Sequence, residues 1–296
     1  ARSVLGPTLS VAEAFYSSNG VPISEDNSDF WTANYPNRYE ITTIPDEGNN
    51  KYYLQIGEQT AYLHLNREPR FYASLSFDRG TWYGDGYTND EPANLAFYHF
   101  RAKEVSGRQT SEDHSYTGYL NKKVCSYKTG LTKDGFSPYR YSFPIIRLAD
   151  LYLMYAEALN EATENGEFVP AAVYTNIDIV RKRSGLEGVV DSWKKYSTNP
   201  NKPSTKEGMR EIIRKERQIE LALEGVRYHD LRRWKLARST YNNTFIRGWS
   251  IDQENTEDYY VIRNIAQKKY SQKDYLWPVK YDDIIRNPKL KQNPGW

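Results

Sequence analysis

The sequence predicts a mainly α fold, in which tetratricopeptide-like helix pairs carry a loop-rich, partly extended region. Three observations predict it. Apolar residues recur at helical spacing through residues 146–238. Residues 1–142 are instead rich in Gly, Pro, Asn, Asp and aromatics, without a long periodic run. And 26 tyrosines and 7 tryptophans stand against 2 methionines, an excess of rings that suit half-wet surfaces.

The chain divides at this change of character. In 1–142, Thr8–Ser17 reads as a short helix with Ser10 as N-cap and Asn19-Gly20 beyond its end. Extended pieces are expected around Arg38–Thr43, Tyr52–Ile56 and Arg70–Ser76. In 143–296 the first helix carries Leu148, Leu151, Tyr152, Tyr155, Ala158, Leu159 and Ala162 on one repeat. Pro170 opens the second, where a missing N–H costs nothing. Ala172, Val173, Ile177 and Val180 form its inner face, and Gly185 closes it. Ser204 with Glu207 fits a capping box for the third helix, which carries Met209, Ile212, Ile213, Ile219 and Leu223 and stops at Gly225. A fourth runs from Tyr228 to about Arg238. Small residues (Ala156, Ala158, Ala162, Ala171, Ala172) let the first two approach closely. The tail holds Pro278, Pro288 and Pro294 and cannot be one helix.

Composition removes several functions. Forty basic against 38 acidic side chains give a net charge of +2, with no overall field for nucleic acid or anionic lipid. Mean hydropathy is −0.81 and no run reaches the length of a membrane span. Cys125 is the single cysteine, so no internal disulfide forms. The start, Ala-Arg-Ser, reads as that of a processed or shortened chain. His64, His99, His114 and His229 lack metal-ligand spacing, and no phosphate-binding loop or nucleophile elbow is present. No cofactor and no metal are expected. Asp85, Asn89, Asp90 and Glu91 read as solvated loop residues rather than a calcium site.

Glu216, Glu220 and Glu224 form one stripe at four-residue spacing, beside arginines. They read as a network of ion pairs, with Arg227, Arg232 or Arg233 as partners. Glu216, Glu220, Arg227, Asp230 and Arg233 are expected to be paired among themselves or with backbone. The candidate ligand contacts are aromatic: Trp82 and Tyr83 first, then Trp31 and Tyr35, with Tyr87, Asp85 as hydrogen-bond acceptor and Arg79 nearby. A ring plane beside acids and amides is the surface that a sugar or a peptide needs. Stacked single-stranded nucleic acid needs a basic groove, and 79–100 is not basic.

Five collinear segments carry a resemblance. FPIIRLADLYLMYAEALNEA (143–162), IDIVRKRSGL (177–186), ERQIELALEGVRYHDLRRWKLA (216–237), NPKLKQNPGW (287–296) and REPRFYASL (67–75), with AFYSSNGVPI (14–23) as a lead-in, together resemble the SusD/RagB family of outer-membrane nutrient-binding lipoproteins. The match looks like the C-terminal part of the family. Glu68 stands where aspartate is common and Trp296 where tyrosine is usual, while 24–66 and 77–125 match nothing assignable. The resemblance implies a SusD-like fold and a binding protein rather than an enzyme. It implies an oligosaccharide or polysaccharide ligand and a SusC-like TonB-dependent transporter as partner. It also implies a cell-surface position on the outer membrane through a lipid anchor outside this chain. A peptide or other nutrient is the alternative ligand, and a glycoside hydrolase the alternative class.

Overall fold

A computed structural model describes residues 6–82, 96–110, 114–123, 125–126, 128–132, 135–164 and 166–296, with backbone alone for 130–132 and 135–137. The N-terminal region holds four short helices: α1 (Leu9–Ala14), α2 (Asp29–Asn34), α3 (Asn50–Tyr53) and α4 (Pro69–Ser74). Antiparallel two-stranded ribbons link them: β1 (Ile41–Thr43) with β2 (Gln59–Ala61), β3 (Leu75–Phe77) with β6 (Tyr119–Asn121), and β4 (Thr81–Trp82) with β5 (Ala96–Phe97). A fourth ribbon pairs β7 (Gly130–Thr132) with β8 (Gly135–Ser137).

The C-terminal region holds α5 (Leu148–Ala162), α6 (Ala171–Arg183), α7 (Val189–Tyr196), α8 (Lys206–Glu220), α9 (Val226–Arg233) and α10 (Ala237–Asn242). Strand β9 (Phe245–Trp249) pairs antiparallel with β10 (Ile262–Gln267) around α11 (Thr256–Tyr259), and α12 (Tyr281–Arg286) lies in the tail. Helix α5 packs on both α6 and α8. The buried core crosses residue 142: Phe15, Trp31, Phe71, Phe77 and Tyr119 join Leu153, Ile177, Trp193, Ile213 and Trp249.

Several local expectations need correction. Arg70–Ser76 is mostly helix, because Pro69 sits at the first turn of α4 with φ already helical, and only Leu75 onward is strand. Around Tyr52–Ile56 the chain makes α3, and Leu54 forms a single bridge to Gly80. Thr8, not Ser10, precedes α1. Thr205, not Ser204, caps α8: the Gly208 amide donates to its Oγ1 at 3.1 Å, while Ser204 is spent in a 3₁₀ turn. Helix α7 has a clear signal in Val189 and Trp193, which are buried, yet it falls outside the four expected helices.

The largest correction concerns α5. Its buried face is Leu153, Ala156 and Asn160. Of the residues that repeat at helical spacing, Leu148, Leu151 and Tyr155 are exposed (61%, 48% and 55%), as are Ala158 and Ala162.

The turn at Asn19-Gly20 requires glycine for a local reason. Gly20 has φ +75°, and a Cβ there would lie 2.6 Å from Arg181 Nη2, which donates to its carbonyl at 2.9 Å.

Candidate ligand cleft and the charged joint

The segment Arg67-Glu68-Pro69-Arg70 is a structural staple. Helix α1 ends with carbonyls that no later turn can satisfy. The Arg67 guanidinium fills that gap, donating to the carbonyls of Ala12, Phe15 and Tyr16 at 2.7–3.2 Å and to Leu63 at 2.8 Å. Burial pushes Arg67 down to about 10. Glu68 accepts from the Tyr16 amide at 2.8 Å and from Arg70 Nε at 2.6 Å.

Arg70 then crosses to α8, reaching Glu216 at 3.0 Å and Glu220 at 3.4 Å. Glu216 is fully buried and also meets Arg181 at 2.6 Å. Glu220 meets Arg147 at 2.7 Å and Arg183 at 2.6 Å, and Glu224 meets Lys123 and Arg147. Burial alone would raise the Glu220 carboxyl. The Arg147 hydrogen bond and the nearby Arg70 and Arg183 charges outweigh it and hold Glu220 below the usual carboxylate range.

The acid ladder is therefore an ion-pair network, but with other partners than expected. Arg70, Arg147, Arg181, Arg183 and Lys123 come from elements distant in sequence. Arg227 instead lies over the Trp234 ring, 5.7 Å from its centroid. Asp230 binds Arg217 and Arg233 at 2.9 Å, and Arg233 continues to Glu157. A cavity of about 510 Å³ opens over this joint, lined by Glu220 and Glu224 together with Phe143, Ile145, Ile146 and Leu223. Glu220 thus both lines a cavity and stays paired, with 2% of its side chain exposed.

A second cleft, of about 300 Å³, lies across α4 from the joint. Tyr53, Pro69, Tyr72, Ala73, Thr81, Trp82, Lys122 and Cys125 line it. Tyr53 and Tyr72 stack in parallel, 4.2 Å between centroids and 2° between planes. Tyr72 is locked: its hydroxyl donates to the His64 carbonyl at 2.8 Å and accepts from the Arg67 amide at 3.3 Å. Trp82 is half-buried at the end of β4, edge-on to Tyr98 at 5.7 Å. Lys122 donates to the Thr81 carbonyl at 2.7 Å and sits 5.8 Å from the Trp82 ring centroid. Burial pushes its ammonium down to about 7. Rings on two sides with few polar groups make a surface for stacking rather than for bond breaking.

Of the residues singled out from sequence, this cleft contains Trp82. Tyr83, Asp85 and Tyr87 lie outside the described residues, as do Asn89, Asp90 and Glu91. Trp31 is 1% exposed and belongs to the core, edge-on to Phe30 at 5.2 Å, so neither of its faces can stack on a ligand. Tyr35 is half-buried beneath Arg38, 4.6 Å from its ring centroid, and does not line the cleft.

Arg79 does not line the cleft either. Its guanidinium is engaged by Glu58, Asp78 and Glu104 at 2.8–3.1 Å, with 6% of the side chain exposed. Tyr53, Tyr72 and Lys122 are lining residues of the cleft that sequence reasoning missed, Tyr72 being buried behind the Tyr53 ring. Tyr72 had a signal in its ring-rich segment, but no spacing rule brings Tyr53 onto it.

Among the described residues, no group of three or more His, Cys, Asp or Glu could hold a metal ion. No described helix is long and apolar enough to cross a membrane.

Comparison with known proteins identifies the family and the fold. The SusD-like protein P2 of Formosa agariphila is 29% identical over 152 residues, which is 51% of this chain and 25% of that protein. The solved structure of BT4246 (selenomethionine form) superposes with a TM-score of 0.77 at 26% identity, covering all of this chain and 47% of that one. A SusD-like carbohydrate binding protein of Bacteroides fragilis, BF0978, superposes with a TM-score of 0.63 at 20% identity, a likeness of fold, over 98% of this chain and 49% of that one. The chain thus spans about half the length of these solved relatives. The SusD family model matches residues 3–296. With REPR and the α8–α9 corner meeting in one buried network, and the family pattern running across nearly every residue, the chain belongs to the SusD family.

Proposed function

We propose that this chain binds oligosaccharide at the Trp82 cleft, as part of a surface nutrient-binding protein that hands its ligand to a SusC-like TonB-dependent transporter. The observation that carries the reading is the aromatic cleft itself. The half-exposed Trp82 ring and the partly exposed Tyr53 ring, fixed by stacking on buried Tyr72, offer apolar faces to a flat, polar ligand. One fully covered ring face contributes on the order of 1–3 kcal/mol. Two such rings give weak to moderate affinity after ordering costs. The family resemblance and the name of BF0978 support a carbohydrate ligand.

Catalysis is not part of the proposal. Glu220, which lines the larger cavity, is held low by its arginines, the reverse of what a glycosidase acid needs. The peptide alternative loses the contact that motivated it, since Arg79 is already engaged by three carboxylates.

The test is retardation of the protein in native gels containing single polysaccharides, neutral and charged. At least one should retard it, with no release of reducing ends. Retardation by none, or turnover of any, contradicts the binding reading. Pull-down from outer membranes should recover a TonB-dependent transporter; its absence contradicts the delivery step.

A further inference from the structure

A cavity of about 240 Å³ lies against the β9–β10 hairpin and shares no lining residue with the cleft or the joint. Close backbone approach assembles it. The Trp249 amide donates to the Thr117 carbonyl at 3.0 Å, and a Cβ on Gly248 would stand 2.5 Å from Thr117 Cα. Residues 114–117 thus run against β9, which brings His114 and Tyr116 to the cavity. The Ala102 amide donates to the Gln253 carbonyl at 2.9 Å and ties the loop that carries Arg108 to the turn that carries Asp252.

Arg108 and Arg263 each donate to one oxygen of Asp252, Arg263 at 2.5 Å. Burial would raise the Asp252 carboxyl, but the two arginines outweigh it and hold it below the usual carboxylate range. The carboxylate therefore stays ionised and orients both guanidinium groups. Two such groups on one carboxylate leave a positive charge in excess. A guanidinium has five N–H donors, and 39% and 49% of these two side chains stay exposed, so each keeps donors for an incoming acceptor. Tyr116 lines the same cavity, 49% exposed, with its ring tilted against His114 at 4.7 Å between centroids. His114 is buried and its Nδ1 has no hydrogen-bond partner, an exception among buried polar atoms, and the cavity beside it is where a partner can enter.

We propose that this cavity is a second ligand site, which takes one acidic sugar residue: Arg108 and Arg263 hold its carboxylate or sulfate group, and Tyr116 covers a face of its ring. Three features select that occupant. Guanidinium forks match the oxygens of a carboxylate or sulfate in pairs. A half-exposed aromatic ring beside them favours an anion carried on a ring over a bare one. And 240 Å³ falls below the roughly 300–1,000 Å³ of a drug-sized pocket, which limits the occupant to a single residue. The site needs nothing from the Trp82 cleft, so it stands or falls apart from the binding proposed there.

Nuclear magnetic resonance on the isotopically labelled chain tests this with methyl glucuronide, sulfated glucose, neutral methyl glucoside and inorganic sulfate. Place is read from the arginine Nε–H signals, assigned by their loss in Arg108→Lys and Arg263→Lys. Affinity is read from saturation transfer to the sugar's own protons, and for inorganic sulfate from the arginine shifts. At least one acidic sugar should shift the signals of both arginines; which one responds assigns the anion. Methyl glucoside and inorganic sulfate should need about 10-fold higher concentration or more. Arg108→Gln, Arg263→Gln and Tyr116→Ala should each weaken the acidic sugar roughly 10-fold, while Trp82→Ala leaves it unchanged. No response to either acidic sugar overturns the proposal, as does equal affinity for the glucoside or for inorganic sulfate. Loss of binding in Trp82→Ala overturns it too, by moving the acidic sugar to the aromatic cleft. Should the glutamine variants fail to fold, Tyr116→Ala decides, since its ring is half exposed: unchanged affinity there overturns the proposal.

Discussion

The charged joint and the aromatic cleft are built on the same turn of helix α4 and do opposite things. Arg70 turns toward α8 and enters a network of carboxylates and guanidinium groups that is nearly closed to water. Tyr72 and Pro69 turn toward the cleft, and Ala73 borders both cavities. The joint is rich in groups that could do chemistry, yet each acid is matched by a base, so little is left to act on a ligand. The cleft is poor in such groups, and two of its rings, Tyr53 and Trp82, stay partly exposed. Density of charge here marks a structural joint, and the proposed binding surface lies where rings are incompletely buried.

Breaking the joint should have the largest effect. Glu216→Ala leaves Arg181, which is fully buried, without its carboxylate, and takes one partner from Arg70. The expected loss is roughly 3–5 kcal/mol, read from the shift in urea midpoint. A loss below about 1 kcal/mol would mean that the network is not the clamp described, since that is the range of surface pairs.

The two tryptophans named from sequence sharpen the contrast. Trp31→Ala should destabilise the fold by about 3–5 kcal/mol, because it empties a core site. Trp82→Ala should leave the unfolding midpoint nearly unchanged. Comparable destabilisation by both would place Trp82 in the core as well.

Acid should weaken the fold through a buried histidine outside both regions. His64 is fully buried, with Thr60 Oγ1 2.7 Å from Nδ1 and the Tyr119 hydroxyl 2.8 Å from Nε2. Burial, then the Arg67 charge, pushes His64 down to about 3. The unfolded chain binds this proton from about pH 6.5 downward and the folded chain only near 3. Stability from this group is therefore complete above 6.5 and lost as pH falls toward 3. At pH 5 the loss is about 2 kcal/mol. Glu220 adds to the trend at lower pH, since its depressed carboxyl contributes above the ordinary carboxylate range and loses that contribution as pH falls through its folded value. Urea titrations at pH 5 and 7 should show the difference, and a neutral His64→Gln variant should flatten it. A wild-type profile flat from 7 to 5 contradicts the burial of a neutral imidazole.

The smallest expected effect is at the α8 cap. Thr205→Ala should cost about 1 kcal/mol and Ser204→Ala much less.

How much the sequence reveals depends on how local the cause is. The spacing of Val173, Ile177 and Val180 and the stop at Gly185 are properties of one helix, and they were legible. The Glu216–Glu220–Glu224 stripe was legible as an ion-pair ladder. Its partners were not, because Arg70 lies 146 residues from Glu216 and no periodicity links them. The helical spacing of the α5 apolar residues is legible, but spacing alone does not tell which of its apolar faces is buried, here Leu153 and Ala156. The cleft was half legible: Trp82 follows from ring density near a glycine-rich segment, whereas the Tyr53–Tyr72 stack exists only once α3 and α4 are folded against each other.

The most direct test of the account is the affinity of Trp82→Ala for whichever polysaccharide retards the wild-type chain, with Trp82→Phe and Glu224→Gln measured beside it. Loss of one stacked indole should weaken binding roughly 10-fold or more for Trp82→Ala, with partial recovery for Trp82→Phe and little change for Glu224→Gln. Unchanged affinity in Trp82→Ala, or a loss confined to Glu224→Gln, would move the ligand out of the aromatic cleft and into the charged joint.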